Sequence, residues 1–156
     1  MEAILTYLKS LNFDSDRSKA AQLCLTICPV SADGMAKMMK CFSFEEEKKN
    51  FSTFAFDYCP DPENYMLVID QFTFERSKKE VANAIVEKYP MYAREIARMV
   101  RVFSFEDDRL TFAKAAYPSC LDKEAYDEVI NMLSFQNNKD RLRAFMKEED
   151  ERSIER

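Results

Sequence analysis

Phe103-Ser104-Phe105-Glu106-Asp107-Asp108-Arg109-Leu110-Thr111-Phe112-Ala113-Lys114-Ala115-Ala116-Tyr117-Pro118 decides the fold, because its core occurs five times in the 156-residue chain. The same short signature stands at Leu11-Asn12-Phe13, Phe42-Ser43-Phe44, Phe72-Thr73-Phe74 and Leu133-Ser134-Phe135. The second aromatic falls at 13, 44, 74, 105 and 135, in steps of 31, 30, 31 and 30. Four residues beyond each comes a base: Arg17, Lys48, Lys78, Arg109 and Lys139. Self-similarity at one fixed period is the mark of repeat architectures.

The flanks repeat with the signature. Upstream, apolar residues fall at i, i+3, i+4 and i+7: Ile4, Tyr7, Leu8, Leu11; Met35, Met38, Met39, Phe42; Tyr65, Val68, Ile69, Phe72; Ile96, Met99, Val100, Phe103; Tyr126, Val129, Ile130, Leu133. Downstream, a trio follows at the same kind of spacing, as in Phe51, Phe54, Ala55 or Phe112, Ala115, Ala116. Both spacings describe one face of a helix. Each unit therefore reads as helix, sharp corner, helix. Asn12, Ser43, Thr73, Ser104 and Ser134 are expected to cap the second helix, since a short side-chain oxygen can accept from an orphan N–H. Ser43 and Glu46 also have capping-box spacing. The acids that follow, such as Glu45 to Glu47, suit the positive end of a helix dipole. Pro29, Pro60, Pro62 and Pro90 punctuate the joins, and Pro118 should stop the fourth unit's second helix early. Ser31, Asp61 and Asp122 are expected to cap the helices that follow the joins.

The fold class expected is all-α: a short, solenoid-like array of five helix-corner-helix units of 30–31 residues. The expected helices lie near 2–10, 14–27, 32–41, 45–58, 63–71, 75–88, 92–102, 106–117, 123–132 and 136–150. Residues 1–146 read as a single helical-repeat domain. Residues 147–156 read as a charged tail expected to fray. One unit cannot hide its aromatics alone, so stacking should bury both apolar faces. The corner residues Phe13, Phe44, Phe74, Phe105 and Phe135 are expected to be structural, with Phe44, Phe74 and Phe105 in the core.

Composition agrees with helices. Hydrophobic residues make up 47%, with one Gly and five Pro, which leaves little material for hairpin turns. The net charge is −5 and both signs alternate, so nucleic acid is not an expected partner. No apolar run approaches the roughly 18 residues of a membrane span. Cys24, Cys28, Cys41, Cys59 and Cys120 are odd in number and form no C-x-x-C pair, which suits reduced thiols and a cytoplasmic location.

The stretches from Leu11 to Arg17 and from Phe103 to Pro118 resemble the F-S-F-D-x-x-R-L-x-F-A-K-x-A-Y-P pattern of a helical domain-of-unknown-function family, number forty-four seventy-six. Asp61-Pro62-Glu63-Asn64-Tyr65, leading into Phe72-Thr73-Phe74, resembles it too. The resemblance covers residues from about 11 to 140 and implies a helical repeat fold, with no reaction and no catalytic residues to carry over. Lys78 and Lys139 depart from the pattern's Arg, and Val81 from its downstream Phe.

Chemistry is sparse. The chain has no His, which closes the usual Ser and Cys arrangements. Carboxylates abound, but they cluster at helix starts, where capping accounts for them. The only glycine, Gly34, cannot build a phosphate-cradling loop. Cys24 and Cys28 lie one turn apart, while Cys59 and Cys120 occupy equivalent places in different units, so no zinc set converges. Asp14-Ser15-Asp16 lacks the Gly and terminal Glu of an EF-hand loop. No catalytic, cofactor or metal residues are expected.

The base row at 17, 48, 78, 109 and 139 has two readings: ion pairs and stems packed beside the corner, or a row that binds an acidic or phosphorylated partner. The expected function is a non-enzymatic module for protein interaction, scaffolding or self-association, with an unknown protein as partner. The alternative is a carrier of an apolar small molecule or lipid in a groove lined by Met35, Met38, Met39, Met99, Met132 and aromatics. An enzyme with a reactive thiol is the third reading.

Overall fold

The computed structural model describes residues 1–155. Among the described residues are ten α-helices, four short 3₁₀ turns and no strand. In chain order they are α1 (Glu2–Ser10), α2 (Asp14–Ile27), α3 (Ala32–Met39), α4 (Glu45–Ala55), α5 (Met66–Ile69), α6 (Glu75–Lys88), α7 (Ala93–Val100), α8 (Glu106–Ala116), α9 (Asp127–Ile130) and α10 (Gln136–Glu155). The chain divides into two compact units, Met1–Val81 and Ala82–Arg156, the boundary falling inside α6. In the first unit α3 packs on α1 and α5, and α4 on α2. In the second, α7 packs on α9 and α8 on α10.

The apolar face read at i, i+3, i+4 and i+7 is the core. From the second repeat to the fifth, all sixteen of its members are buried. In the first repeat Leu8 is buried, but Tyr7 is exposed. A second buried line completes the packing. Ala21, Ser52, Ala82 and Ala113, eight residues past the corner aromatic, are fully buried. Leu25, Phe56, Val86 and Tyr117, four residues further, are buried too. Small residues in the first line let a neighbouring helix approach closely.

The five short repeats are organised at a longer period. Features of the first unit recur 61 residues on in the second. The 3₁₀ turns Phe56–Tyr58 and Pro62–Asn64 return as Tyr117–Ser119 and Lys123–Ala125. The Tyr65 hydroxyl donates to the Ser52 carbonyl inside the core, and the Tyr126 hydroxyl donates to that of Ala113. Tyr65 packs edge-on to Phe56, and Tyr126 to Tyr117, at centroid separations of 4.8 and 4.9 Å. Phe42–Phe51 and Phe103–Phe112 form the matching tilted pairs. The alternation of 31 and 30 in the repeat spacing reflects this pairing.

Several local expectations change. The second helix of the fourth repeat does end early, at Ala116, but so does that of the second repeat, at Ala55, where no proline stands at the equivalent place. The early stop therefore belongs to the 3₁₀ turn that both share, not to Pro118 alone. The spans expected near 63–71 and 123–132 are each a 3₁₀ turn followed by one turn of α-helix. The tail expected to fray from 147 is helical through Glu155, and the Tyr117 hydroxyl donates to Asp150 at 2.6 Å; Arg156 lies outside the described residues.

Candidate interaction surface

The corner is where the structure departs most from expectation. Phe13, Phe44 and Phe105 hold the N-cap positions of α2, α4 and α8, in extended backbone and without a side-chain cap bond. The preceding Asn12, Ser43 and Ser104 sit one place too early to cap, and no Ser43–Glu46 capping box forms. The two aromatics of the signature have opposite fates. Phe42, Phe72 and Phe103 are buried, whereas Phe13, Phe44, Phe74, Phe105 and Phe135 are 62–68% exposed. The expectation that Phe44, Phe74 and Phe105 are core residues is therefore wrong. The first aromatic completes the apolar stripe of the preceding helix. Two residues on, the turned chain points the second phenyl away from that stripe.

At the corners before α4, α6 and α10 the backbone N–H groups are met from the preceding repeat. The Ser43 N–H (2.9 and 3.0 Å) and the Phe44 N–H (2.7 Å) donate to the carboxylate of Asp14, the first residue of α2. The Phe74 N–H donates to Glu45, the first residue of α4, at 3.0 Å. The Ser134 and Phe135 N–H groups donate to Glu106, the first residue of α8, at 2.8 and 3.1 Å. The acids read as dipole partners thus join neighbouring corners. Burial alone would raise the Asp14 carboxyl, but the two backbone donors and the Arg17 guanidinium outweigh it and hold it below the usual carboxylate value.

A second clamp works at the other end of the repeat. The Ala32 N–H donates to Asp61 at 2.8 Å, and the Ala93 N–H donates to Asp122 at 2.6 Å. Asp61 and Asp122 therefore serve α3 and α7, one repeat earlier, instead of the helices that follow them. Ser31 behaves as expected and accepts from the Gly34 N–H at 3.2 Å. A side chain at Gly34 would meet Val30 and Met1 at 2.7 Å, which explains the single glycine.

All five bases of the row are half-buried. Arg17 donates to Asp14 and to the Leu11 carbonyl, both at 2.7 Å, and to the Leu8 carbonyl at 3.3 Å. Arg109 donates to the Phe103 carbonyl at 2.8 Å. Lys48 reaches the Gln71 carbonyl at 3.5 Å, and Lys78 lies 3.8 Å from Asp70 and 3.9 Å from Glu75. Arg17, Lys48 and Arg109 thus donate to carbonyls at the end of a first helix, where the last turn leaves acceptors open, while Lys78 meets two carboxylates. Lys139 occupies the same place in the fifth repeat.

The remaining sequence candidates fall into the core or into structural bonds. Met35, Met38, Met39 and Met99 are buried, so they line no groove. Met132 shares an open cleft of about 430 Å³ in the second unit with Arg94, Arg98, Arg101 and Glu128, a basic feature that bulk charge concealed. The Cys59 thiol faces Asp61 and that of Cys120 faces Asp122, at 3.5 and 3.6 Å. Burial first, and then those carboxylates, push the two thiols up to about 12 and about 11. Among the described residues no three His, Cys, Asp or Glu side chains converge on a metal position. Nor is any helix there long and apolar enough to cross a membrane.

The surface left over in each unit is its set of corner phenyl groups. In the first unit, Phe74 borders an open groove of about 490 Å³ with Glu45, Glu46, Lys49, Arg76 and Ser77. The Asp14 and Glu45 clamps hold the corners of Phe13, Phe44 and Phe74 in sequence beside one another. In the second unit, the Glu106 clamp does the same for Phe105 and Phe135. The N-cap position of these phenylalanines emerges only from the turn geometry; Phe there contradicts local propensity, and such conflicts mark functional positions.

No curated protein matches the chain, and no solved structure does. The family model described as a domain of unknown function, DUF4476, matches it twice, over residues 1–86 and 80–146. With the two matches together covering most of its length, the chain belongs to the DUF4476 family.

Proposed function

We propose that this protein is a non-enzymatic docking module, and that each of its two units holds a protein partner on its own corner phenyl groups. The observation that carries the reading is the exposure of all five phenylalanines at equivalent positions. Soluble surfaces carry scattered apolar side chains without consequence. Here the same large aromatic recurs where Ser, Asp or Asn would stabilise the helix by about 0.5–2 kcal/mol relative to an uncapped residue. Phe is also a rigid side chain, with few rotamers to lose on binding, and aromatics anchor interfaces.

The neighbouring groups support a structural role for the scaffold. The first-turn acids accept backbone bonds, Arg17 and Arg109 tie off carbonyls, and Cys59 and Cys120 are held protonated. This leaves the phenyl groups as the chemistry that the corners offer outward.

The test compares the natural chain with a variant carrying Ser at 13, 44, 74, 105 and 135. Its melting temperature is expected to hold or rise, since none of these phenyl groups is buried and Ser can cap. Proteins retained by the natural chain are expected to be lost by the variant. Equal retention by both would sink the proposal, and so would a variant that unfolds.

A further inference from the structure

We propose that a second copy of this chain covers the open face of the first repeat, head to head about a two-fold axis. In the first unit each repeat turns one face toward the repeat before it. In the second repeat, where α3 and α4 pack on α1 and α2, Met38, Phe51 and Ala55 are fully buried. Their counterparts 31 residues earlier are Tyr7, Ala20 and Cys24. Tyr7 is 53% exposed, and the other two are half-buried. With Leu23 and Ile27, 61% and 71% exposed, they line an open apolar groove of about 450 Å³ along α1 and α2.

The opposite face of the fifth repeat is different in kind. Leu5, Ser18, Ala21 and Leu25 are buried in the first repeat, and their fourth-repeat counterparts Ala97, Leu110, Ala113 and Tyr117 are buried too. In the fifth repeat the same positions are Asp127, Asp140, Arg143 and Lys147, all exposed. Repeat proteins need such polar outer faces on their terminal units. The outer face of the fifth repeat is charged and that of the first is apolar.

This asymmetry selects the occupant. Head-to-tail contact would press the apolar groove onto four charged side chains. Head-to-head contact matches apolar to apolar and closes after two copies. The groove is flanked by one acid, Asp16, and one base, Lys19, so two copies oppose no single-sign field. Helices α1 and α2, with 9 and 14 residues, are about 14 and 21 Å long and offer on the order of 500 Å² per partner, the size of a weak, transient interface. The dimer should therefore be of micromolar strength.

Sedimentation equilibrium between about 1 and 200 µM, the range that brackets such an affinity, is expected to show mass rising from 18.3 kDa toward twice that value. Leu23→Asp and Ile27→Asp should each weaken association at least about tenfold, as loss of a central anchor does, with the helical melt unchanged. Phe44→Ser should leave the dimer intact, which separates this face from the corner phenyl groups. Maleimide labelling of Cys24 should slow as concentration rises, a readout that needs no variant. A chain that stays monomeric across the range overturns the proposal and leaves the groove to a partner of another kind. A dimer insensitive to Leu23→Asp and Ile27→Asp, or one dissolved by Phe44→Ser, overturns it too.

Discussion

Phe103→Ala will cost about 3–5 kcal/mol of stability, the usual range for a large aromatic cut from a core, while Phe105→Ala will stay within about 0.5 kcal/mol, as exposed substitutions do. Phe103 has no exposed surface and packs on Phe112 at 5.3 Å between ring centroids. Its removal leaves a cavity that Phe112 cannot fill without leaving its rotamer. Phe105 is 64% exposed and heads α8 without capping it. Phe105→Ser should even stabilise, by up to about 1 kcal/mol, because its hydroxyl can accept from the first turn. Denaturant unfolding of the three variants checks the contrast. Equal losses at 103 and 105 would mean that the corner phenyl is packed after all, and the docking proposal would lose its support.

The same pair of residues shows how far the sequence could be read. The helical stripe ended at Phe42, Phe72 or Phe103, and all of those are buried because a 3.6-residue period reports a face directly. Phe44, Phe74 and Phe105 lie two residues past the stripe, where the chain is no longer helical and the period says nothing. Placing them in the core relied on hydrophobicity alone, which is a one-way guide. The polar clamps were hidden for another reason. Asp14 was legible as an acid in a first turn, but its donors stand 29 and 30 residues away in sequence. Local pattern cannot show a bond between repeats. The 61-residue pairing was within reach. Cys59, Asp61 and Tyr65 recur in the same order and spacing as Cys120, Asp122 and Tyr126.

The Asp14 clamp carries the second large effect. Asp14→Asn should cost about 2–3 kcal/mol near neutral pH, the scale for losing hydrogen bonds to a charged group and stranding their partners. Asp14 is 7% exposed and takes donors from Ser43, Phe44 and Arg17. An amide has one oxygen to accept with in place of two, and its NH₂ would face an N–H. Arg17 would also keep its charge with only carbonyls left to meet it. The pH dependence follows from the direction of the shift. The folded carboxyl titrates below its unfolded value, which lies near 3.9. Its stabilisation is therefore complete above about pH 4 and is lost as pH falls through the lower folded value. Asp61, depressed against its own burial by the Ala32 N–H and by Asn64, works in the same window and sign. Unfolding curves of the natural chain and of Asp14→Asn should lie furthest apart from neutrality down to pH 4 and converge below it. A gap of constant size down to pH 2 would show that Asp14 acts by shape, and the charged clamp between corners would have to be abandoned.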